Sequence, residues 1–311
     1  MRHLLPTLTS LLTLLTAMGC QQTENGSVIH VQQISGSEKS AQETHPLDPF
    51  TAIDISVGGR LEIVQGDTDS ISIEADENVL PHLEAIIEDD TLCLQWKISG
   101  RLAGDNNGSH SISIEQTDQN TVITTNGKTY VAPSSGNIHV NNDQVFLDDR
   151  PVVPDLENNS ATVITPTLPI IFRLAVTDLS KITSHASTEI HCDHLETPQL
   201  ELTNNGSGKV SFLQLNADSI TVHVAGSGDV SLAGQATNQN IQSDGSGTVE
   251  ATGLASTTAK VTVSGSGDVH VHATLSLLVE LLGSGNVTYS GSPELEVSAN
   301  GSGKISKGPP T

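Results

Sequence analysis

Apolar and polar residues alternate in the C-terminal half of the chain, in short segments that repeat about every 20 residues. Six Gly-Ser-Gly triplets separate these segments, and their first glycines are Gly206, Gly226, Gly245, Gly265, Gly283 and Gly301. Alternation with a period of two, in segments rich in β-branched residues, indicates strands with one buried face. Repetition at such a period predicts a stacked architecture.

Apolar residues keep two fixed positions relative to the triplets. The second position after each triplet holds Val210, Val230, Val249, Val269, Val287 and Ile305. The fourth position before each triplet holds Leu202, Val222, Ile241, Val261, Val279 and Val297. We expect these residues to form continuous internal columns, because one repeat cannot bury its own apolar face.

Each triplet is interpreted as a corner between two short strands. Glycine allows a positive φ without steric cost, and it lets neighbouring coils approach without a side-chain clash. A meander of hairpins is the competing topology, but its tight turns usually carry Asn-Gly or Asp-Gly. One corner type per repeat favours a β-helix. We therefore predict an all-β parallel β-helix (solenoid) with about six Gly-Ser-Gly rungs.

The N-terminus has the features of an export signal. Arg2 precedes an apolar stretch that is too short for a comfortable membrane span, which needs about 20 residues. Ala17-Met18-Gly19-Cys20 resembles the bacterial lipobox. The resemblance implies a signal peptide at 1–19, cleavage after Gly19 and a lipid on Cys20. An ordinary signal peptide with an incidental cysteine is the alternative.

The residues after Cys20 are polar and lack a sustained period. We interpret 20–47 as a flexible tether and 48–308 as the folded domain. Gln21 follows the lipidated position, and the absence of Asp there favours the outer membrane by analogy. The sequence therefore predicts an exported protein that is attached to a membrane through the lipid on Cys20.

Several segments resemble the bacterial head GIN domain family, whose members carry the label of auto-transporter adhesins. The resemblance rests on the repeated Gly-Ser-Gly-x-Val pattern and on the segments that end the repeat series, Asn286–Pro293 and Asn300–Ile305. The opening segments Phe50–Gly59 and Val64–Ala75 also match. The resemblance covers roughly 48–100 and 163–308. It implies a right-handed β-helix-like fold in an envelope protein and an adhesin-like role.

A polar insertion at 101–162 separates the two family-like parts. Asn126-Gly127 lies between two apolar-rich runs and predicts a hairpin. Asn141-Asn142-Asp143 predicts a second hairpin. Asp89-Asp90 predicts another within 79–98, with a short helix at 79–88 as the alternative. The insertion is either a functional element or tolerated decoration.

The composition excludes some classes of partner. Lys and Arg number 13 against 36 Asp and Glu, which gives a formal net charge of −23. Phosphate backbones are bound by Lys and Arg, so the sequence predicts no nucleic-acid partner. Aromatic residues make up 2 % of the chain, which disfavours clefts that stack on sugars or bases.

Three groups of residues contain possible metal ligands. His191-Cys192-Asp193-His194 holds possible ligands, but alternation along a strand would send His191 and Asp193 one way and the other two the opposite way. His270 and His272 share a face, beside Glu250 and Thr288 on adjacent rungs. Asp229 and Asp268 follow triplets, but the repeat length differs from that of calcium-binding β-rolls. We predict no metal and no cofactor.

Few other residues are candidates for a chemical or binding role. Cys93 and Cys192 are either one disulfide or two buried thiols. No nucleophile with a neighbouring base is visible, so we predict a protein that is not an enzyme and has no catalytic residues. Leu278 and Leu282 replace residues that are polar in nearly every other rung. They are either covered by another part of the chain or exposed as an apolar contact patch.

These observations predict a lipid-anchored envelope protein with a non-catalytic surface for adhesion or interaction. Its ligand would be an unidentified protein or glycan. One alternative is a periplasmic scaffold or signalling accessory protein. A second alternative is a degenerate carbohydrate-active β-helix enzyme, which would require carboxylates clustered on adjacent rungs.

Overall fold

The computed structural model describes residues 30–97 and 160–309 and, between them, six strands within 112–155. Side chains are described for 34–97 and 164–309. The predicted signal peptide 1–19, including Gly19, and the predicted lipidation site Cys20 lie outside the described residues. Within them the fold is all-β, apart from one 3₁₀ turn at Leu80–His82.

The strands fall into three groups along the chain. The first group is β1 (His30–Ser35), β2 (Ser40–Pro46), β3 (Ala52–Ile55), β4 (Arg60–Gln65), β5 (Ser70–Asp76), β6 (Leu83–Glu88) and β7 (Thr91–Trp96). The second is β8 (Ile112–Gln116), β9 (Asn120–Thr125), β10 (Lys128–Pro133), β11 (Ile138–Asn141), β12 (Gln144–Leu147), β13 (Arg150–Asp155) and β14 (Ser160–Thr165). The third is β15 (Ile171–Val176), β16 (Lys181–Ser184), β17 (Glu189–Asn204), β18 (Val210–Val224), β19 (Val230–Ser243), β20 (Val249–Val263), β21 (Val269–Leu281), β22 (Val287–Gly291), β23 (Glu294–Ala299) and β24 (Ile305–Lys307).

The third group confirms the predicted solenoid of about six turns. Strands β17 to β21 are each one rung, and every rung pairs in parallel with the next. Within β17, buried residues alternate with outward ones, but Asp193-His194 and Pro198-Gln199 break the alternation with two exposed neighbours. These breaks divide a rung into three faces. In β17 the first face is 189–192, the second is 195–197 and the third is 200–204.

The internal columns predicted from the sequence are confirmed by the pairing register. On the first face, Val210 is paired with Val230, and the column continues to Ile305. On the third face, Leu202 is paired with Val222, and the column continues to Val297. Both columns are buried up to the last rung, so the core is a stack of aliphatic side chains.

The triplets form one edge of the solenoid, between the third face of one rung and the first face of the next. A Cβ on either glycine of a triplet would lie well inside van der Waals contact of a backbone carbonyl oxygen in the rung before it. Gly247, for example, would clash with the carbonyl of Gly228. The corner amides also donate to these carbonyls, as Ser246 N does to Gly226 O at 3.1 Å.

One of the two reasons predicted for these glycines is wrong. Among the described glycines, Gly59, Gly234 and Gly291 have a positive φ, and none of the triplet glycines has one. The second reason, close approach of neighbouring coils, is confirmed. Glycine is required at the corners because backbone packs directly on backbone there.

The N-terminal residues close one end of the solenoid. Strand β4 stacks in parallel on the first face of β17, and β15 stacks on β4. The next two strands, β5 and β2, are antiparallel. On the third face, β16, β3 and β7 continue the stack and β6 closes it as an antiparallel strand.

The tether predicted at 20–47 is wrong for residues 30–46. Strand β1 pairs with β14, and β2 pairs with β5 along its whole length. Strand β2 holds polar residues on both faces and ends in Pro46. Its composition therefore resembles that of a flexible segment, and its order comes from pairing with residues that lie 24 to 36 positions further along the chain.

The predicted hairpins are confirmed by antiparallel pairs. Strands β9 and β10 pair across Asn126-Gly127, and β11 and β12 pair across Asn142-Asp143. Strands β6 and β7 pair across Asp89 and Asp90, which both have positive φ. The alternative helix at 79–88 is wrong, since only the 3₁₀ turn Leu80–His82 is helical there.

Several buried polar groups of the described residues have no hydrogen bond, and the amide of Gln239 is the largest of them. Gln239 is 2 % exposed, and neither its side-chain nitrogen nor its side-chain oxygen has a hydrogen bond within the described residues. Its column neighbours are Ile220 and Ala259, which are both apolar. An unpaired buried amide destabilises the native state, so this rung is a weak point of the core.

We expect Gly247→Ala to lower the free energy of unfolding by about 1–3 kcal/mol, because the new methyl group must displace the backbone of the preceding rung. The measurement is denaturant unfolding followed by circular dichroism. Ser246→Ala is the matched control at the same corner, with an exposed side chain and an expected change within about 0.5 kcal/mol. Equal stability of the two variants would contradict the packing argument.

We expect Gln239→Met to raise the free energy of unfolding by about 1 kcal/mol, because it replaces an unpaired amide with an apolar group of similar volume. The measurement is the same unfolding curve. Gln235→Met, on an exposed position of the same rung, should change stability little. A decrease for Gln239→Met would show that the amide has a partner such as a buried water.

Candidate functional site

The third face is a long, continuous surface of parallel strands. It comprises β7, β3, β16, the third-face parts of β17 to β21, and β23, all in parallel. Parallel strands are spaced about 4.8 Å apart, so these nine strands extend over about 38 Å. Because the strands stay in register, outward side chains form straight columns.

Hydroxyl, amide and charged groups dominate these outward columns. One column holds Lys181, Glu201, Thr221, Asn240, Lys260, Leu278 and Glu296. The next holds Thr183, Thr203, His223, Gln242, Thr262, Glu280 and Ser298. A surface of this kind presents hydrogen-bonding groups at a fixed repeat along the axis.

Ion pairs on this face join neighbouring rungs. Lys181 Nζ lies 3.0 Å from Glu201 Oε1, in the same column. Lys260 Nζ lies 3.6 Å from Glu280 Oε1. Such exposed pairs each contribute about 0–1 kcal/mol, so they order the surface more than they stabilise the fold.

His223 and Asp244 form the corresponding pair near the triplet edge, with 2.9 Å between Nε2 and Oδ2. Partial burial acts to raise the pKa of Asp244, but hydrogen bonds from His223 and Gln242 hold that pKa below its ordinary value. The carboxylate is therefore retained as an anion at this edge.

The carboxylates of Asp229 and Asp268 accept hydrogen bonds from backbone amides of the following rung. Asp229 Oδ1 accepts from Thr248 N at 2.8 Å, and Asp268 Oδ1 accepts from Asn286 N at 2.8 Å. Asn286 Oδ1 in turn accepts from Lys304 N at 3.0 Å. These acidic residues link the rungs at the triplet edge, a role that sequence reasoning missed because it depends on stacking.

The four residues His191 to His194 do not converge. Cys192 is buried inside the solenoid, while His191 faces outward and contacts Asp193 at 2.9 Å between Nε2 and Oδ1. His194 is exposed beside Asp193, because the corner between the first and second faces lies there. The expectation that His194 shares a face with Cys192 is therefore wrong.

His270 and His272 share the first face, with Glu250 and Thr288 beside His270 as predicted. His272 Nδ1 lies 2.8 Å from Ser290 Oγ. In the part of the chain whose side chains are described, no three His, Cys, Asp or Glu residues are grouped so that they could hold a metal ion.

Both cysteines of the described region are free thiols. Burial raises the pKa of the Cys192 thiol to about 12, and it also raises the pKa of Cys93. Neither thiol is activated as a nucleophile, since the thiolate is the reactive form.

Three leucines in β21 and directly after it are at least partly exposed. Leu278 is half-buried between Lys260 and Glu296, while Leu275 and Leu282 are exposed. Residues 34–97 therefore do not cover Leu282, and the side chains of the insertion lie outside the described set.

Asp76 fixes the point at which the chain returns from the insertion to the solenoid. Its buried carboxylate accepts hydrogen bonds from Thr167 N and Leu168 N, both at 2.9 Å, and from Glu38 N at 2.8 Å. Burial acts to raise the pKa of Asp76, but the hydrogen bonds from Leu168 and Thr167 hold it below its ordinary value of 3.8. One carboxylate thus joins three distant segments of the chain.

The fold and its triplet edge match a known family. The family model described as "Putative auto-transporter adhesin, head GIN domain" matches residues 49–142 and 107–293. The chain belongs to this family. Membership of the head GIN family indicates an adhesion or binding role and a secreted or envelope-associated protein. Among curated proteins, none matches the chain.

Solved structures share the head GIN fold. A "putative adhesin" from Bacteroides fragilis is 20 % identical, with a TM-score of 0.65 over 88 % of this chain and 99 % of its own. A "putative lipid binding protein" from Parabacteroides distasonis is 17 % identical, with a TM-score of 0.57 over 89 % of this chain and 100 % of its own. A "putative adhesin" from Parabacteroides merdae is 17 % identical, with a TM-score of 0.54 over the same shares.

No helix of the described residues is long and apolar enough to cross a membrane.

We expect Asp76→Asn to lower the free energy of unfolding by about 1–3 kcal/mol at neutral pH, because buried backbone donors lose a charged acceptor. Since folding lowers the pKa of Asp76, its contribution is present above the unfolded-state pKa and is lost as the pH falls through the folded-state pKa. Unfolding midpoints at several pH values test both points. Wild type should lose this advantage over Asp76→Asn below about pH 4.

Asp67→Asn, at an exposed aspartate, is the matched control for this experiment. It should retain wild-type stability at neutral pH. A constant difference between wild type and Asp76→Asn from pH 7 down to pH 2 would contradict the proposed role of the Asp76 charge.

Proposed function

We propose that this head GIN protein is a lipid-anchored, non-catalytic binding protein of the bacterial cell envelope, which uses the solenoid surface for adhesion. The observation that carries the proposal is the third face, on which outward hydroxyl and amide groups recur in register. A repeating ligand, such as a glycan or an extended protein surface, would meet equivalent groups at each rung. Many weak contacts of this kind together give substantial affinity.

Charge narrows the range of ligands. The net charge of −23 disfavours anionic polymers, because these are held mainly by Lys and Arg. The pairs Lys181–Glu201 and Lys260–Glu280 already neutralise part of the cationic surface. A neutral glycan or a basic protein surface therefore fits this surface better than a nucleic acid.

The proposed anchor is the lipid on Cys20, and the lipobox-like sequence before it supports the assignment. Ten peptide units separate Cys20 from the start of β1, so the first strand lies within about 35 Å of the anchored cysteine. Several acyl chains on one cysteine give a stable attachment, since each buried CH₂ contributes about 0.8 kcal/mol. The outer membrane is the membrane that we propose.

We expect cells grown with a labelled fatty acid to incorporate the label into wild type and not into Cys20→Ser. Cys20→Ser should also move from the membrane fraction to the soluble fraction, since it loses its attachment. Cys93→Ser is the control, because it removes a different thiol and should remain labelled. Labelling of Cys20→Ser would contradict the proposed anchor.

Surface exposure separates adhesion from a periplasmic role. Protease treatment of intact cells, followed by detection of peptides from 101–162, should release these peptides if the protein faces outward. A lysed sample serves as the control. Protection until lysis would contradict surface adhesion and favour the periplasmic scaffold.

A further inference from the structure

The last rung leaves one strand edge uncovered. Strand β23 pairs with β21 along six residues, from Glu294 to Ala299. Among the described strands, none pairs with its other side. All six residues are exposed. An edge of this kind presents a row of free N–H and C=O groups to any extended chain.

At this edge, residues that belong to the interior columns are exposed to solvent. Leu295 and Val297 extend the internal columns of Leu277 and Val279, which are 1 % and 0 % exposed. Leu295 itself is 39 % exposed and Val297 is 45 % exposed. Their side chains point toward the interior, and the missing cover is a strand stacked on β23.

The opposite end of the solenoid shows how an end is closed in this protein. Strand β2 is polar, antiparallel to its neighbour and terminated by Pro46. Leu80, Leu83 and Trp96 are buried at that end. An exposed core is therefore particular to the β23 end.

Outward side chains of β23 define the charge of a complementary strand. Glu294 and Glu296 alternate with Leu295 and Val297, and neither glutamate belongs to an ion pair among the described residues. Glu296 lies in the same outward column as Lys181 and Glu201, which contact each other. In that contact a lysine on one strand lies 3.0 Å from a glutamate on the next. A lysine opposite Glu296 would repeat it.

Charge also decides between two possible occupants. A second copy of the chain would bring the same two glutamates and another net charge of −23. A strand that alternates apolar and basic residues would cover Leu295 and Val297 and neutralise the glutamates. The cations nearest in sequence, Lys304 and Lys307, belong to the loop before β24 and to β24 itself, which covers β22 on the first face.

We propose that β23 is a docking edge for an extended segment of a partner protein, in which apolar residues alternate with Lys or Arg. The segment adds one further strand to the third face by β-augmentation. The proposal extends the binding role from the outward columns of the third face to the strand edge at its end and names a class of partner, and it depends neither on the lipid nor on the membrane.

The test uses the full chain in detergent and a ten-residue peptide of alternating Val and Lys, labelled for fluorescence anisotropy. A matched peptide of alternating Val and Glu is the probe control. Glu296→Lys should weaken binding of the Val-Lys peptide at least tenfold and should create binding of the Val-Glu peptide. Glu250→Lys makes the same change of net charge at an exposed position on the first face and should change affinity less than threefold.

Hydrogen exchange distinguishes strand pairing at β23 from general charge attraction, because only strand pairing would slow the exchange of specific backbone amides. Bound Val-Lys peptide should slow exchange of amides within 294–299 and leave amides of β2 unchanged. The proposal is overturned if the wild-type chain does not distinguish the two peptides, if Glu250→Lys weakens binding as much as Glu296→Lys, or if protection appears elsewhere. It is also overturned if sedimentation shows a dimer that Val297→Asp dissociates, because a second copy would then occupy this edge.

Discussion

Contact between backbone and backbone at the triplet edge is the constraint on which the solenoid depends. Each rung turns there with no side chain between it and the rung before, and its amides reach the carbonyls of that rung. A larger residue would hold two rungs apart at one edge, and the parallel strands on both adjoining faces would lose their spacing. Glycine at both outer positions of every triplet therefore sets the register of the whole stack.

That register explains why the sequence predicted the solenoid so well. The inward columns from Val210 and Leu202 follow directly from residue spacing, and the hairpins at Asn126-Gly127 and Asp89-Asp90 follow from local turn chemistry. Each of these features depends on residues that are near in sequence or equivalent in the repeat. Periodicity is enough to find them.

The features that the sequence did not predict depend on contacts between residues that are distant in sequence. Strand β2 is polar and becomes ordered through a distant partner, and Asp76 connects segments 38 to 92 residues away. Asp229 and Asp268 were candidate ligands in the sequence, but stacking directs their oxygens to the next rung. The polar outward columns of the binding surface could be predicted from the sequence. The unpaired edge of β23 could be recognised only once the order of the strands in the sheet was known.

The hydrogen bonds between rungs give the solenoid a mechanical direction. They run along its axis, as the pairing of β17 with β18 from Ile190 to Asn204 shows. A tether near one end and a ligand at the other would pull along that axis. A ligand that contacts one outward column across many rungs would divide such a load among those rungs, whereas a ligand held only at β23 would pass it through a single strand. The same solenoid would therefore bear more tension through a ligand bound along its third face than through one bound only at its end.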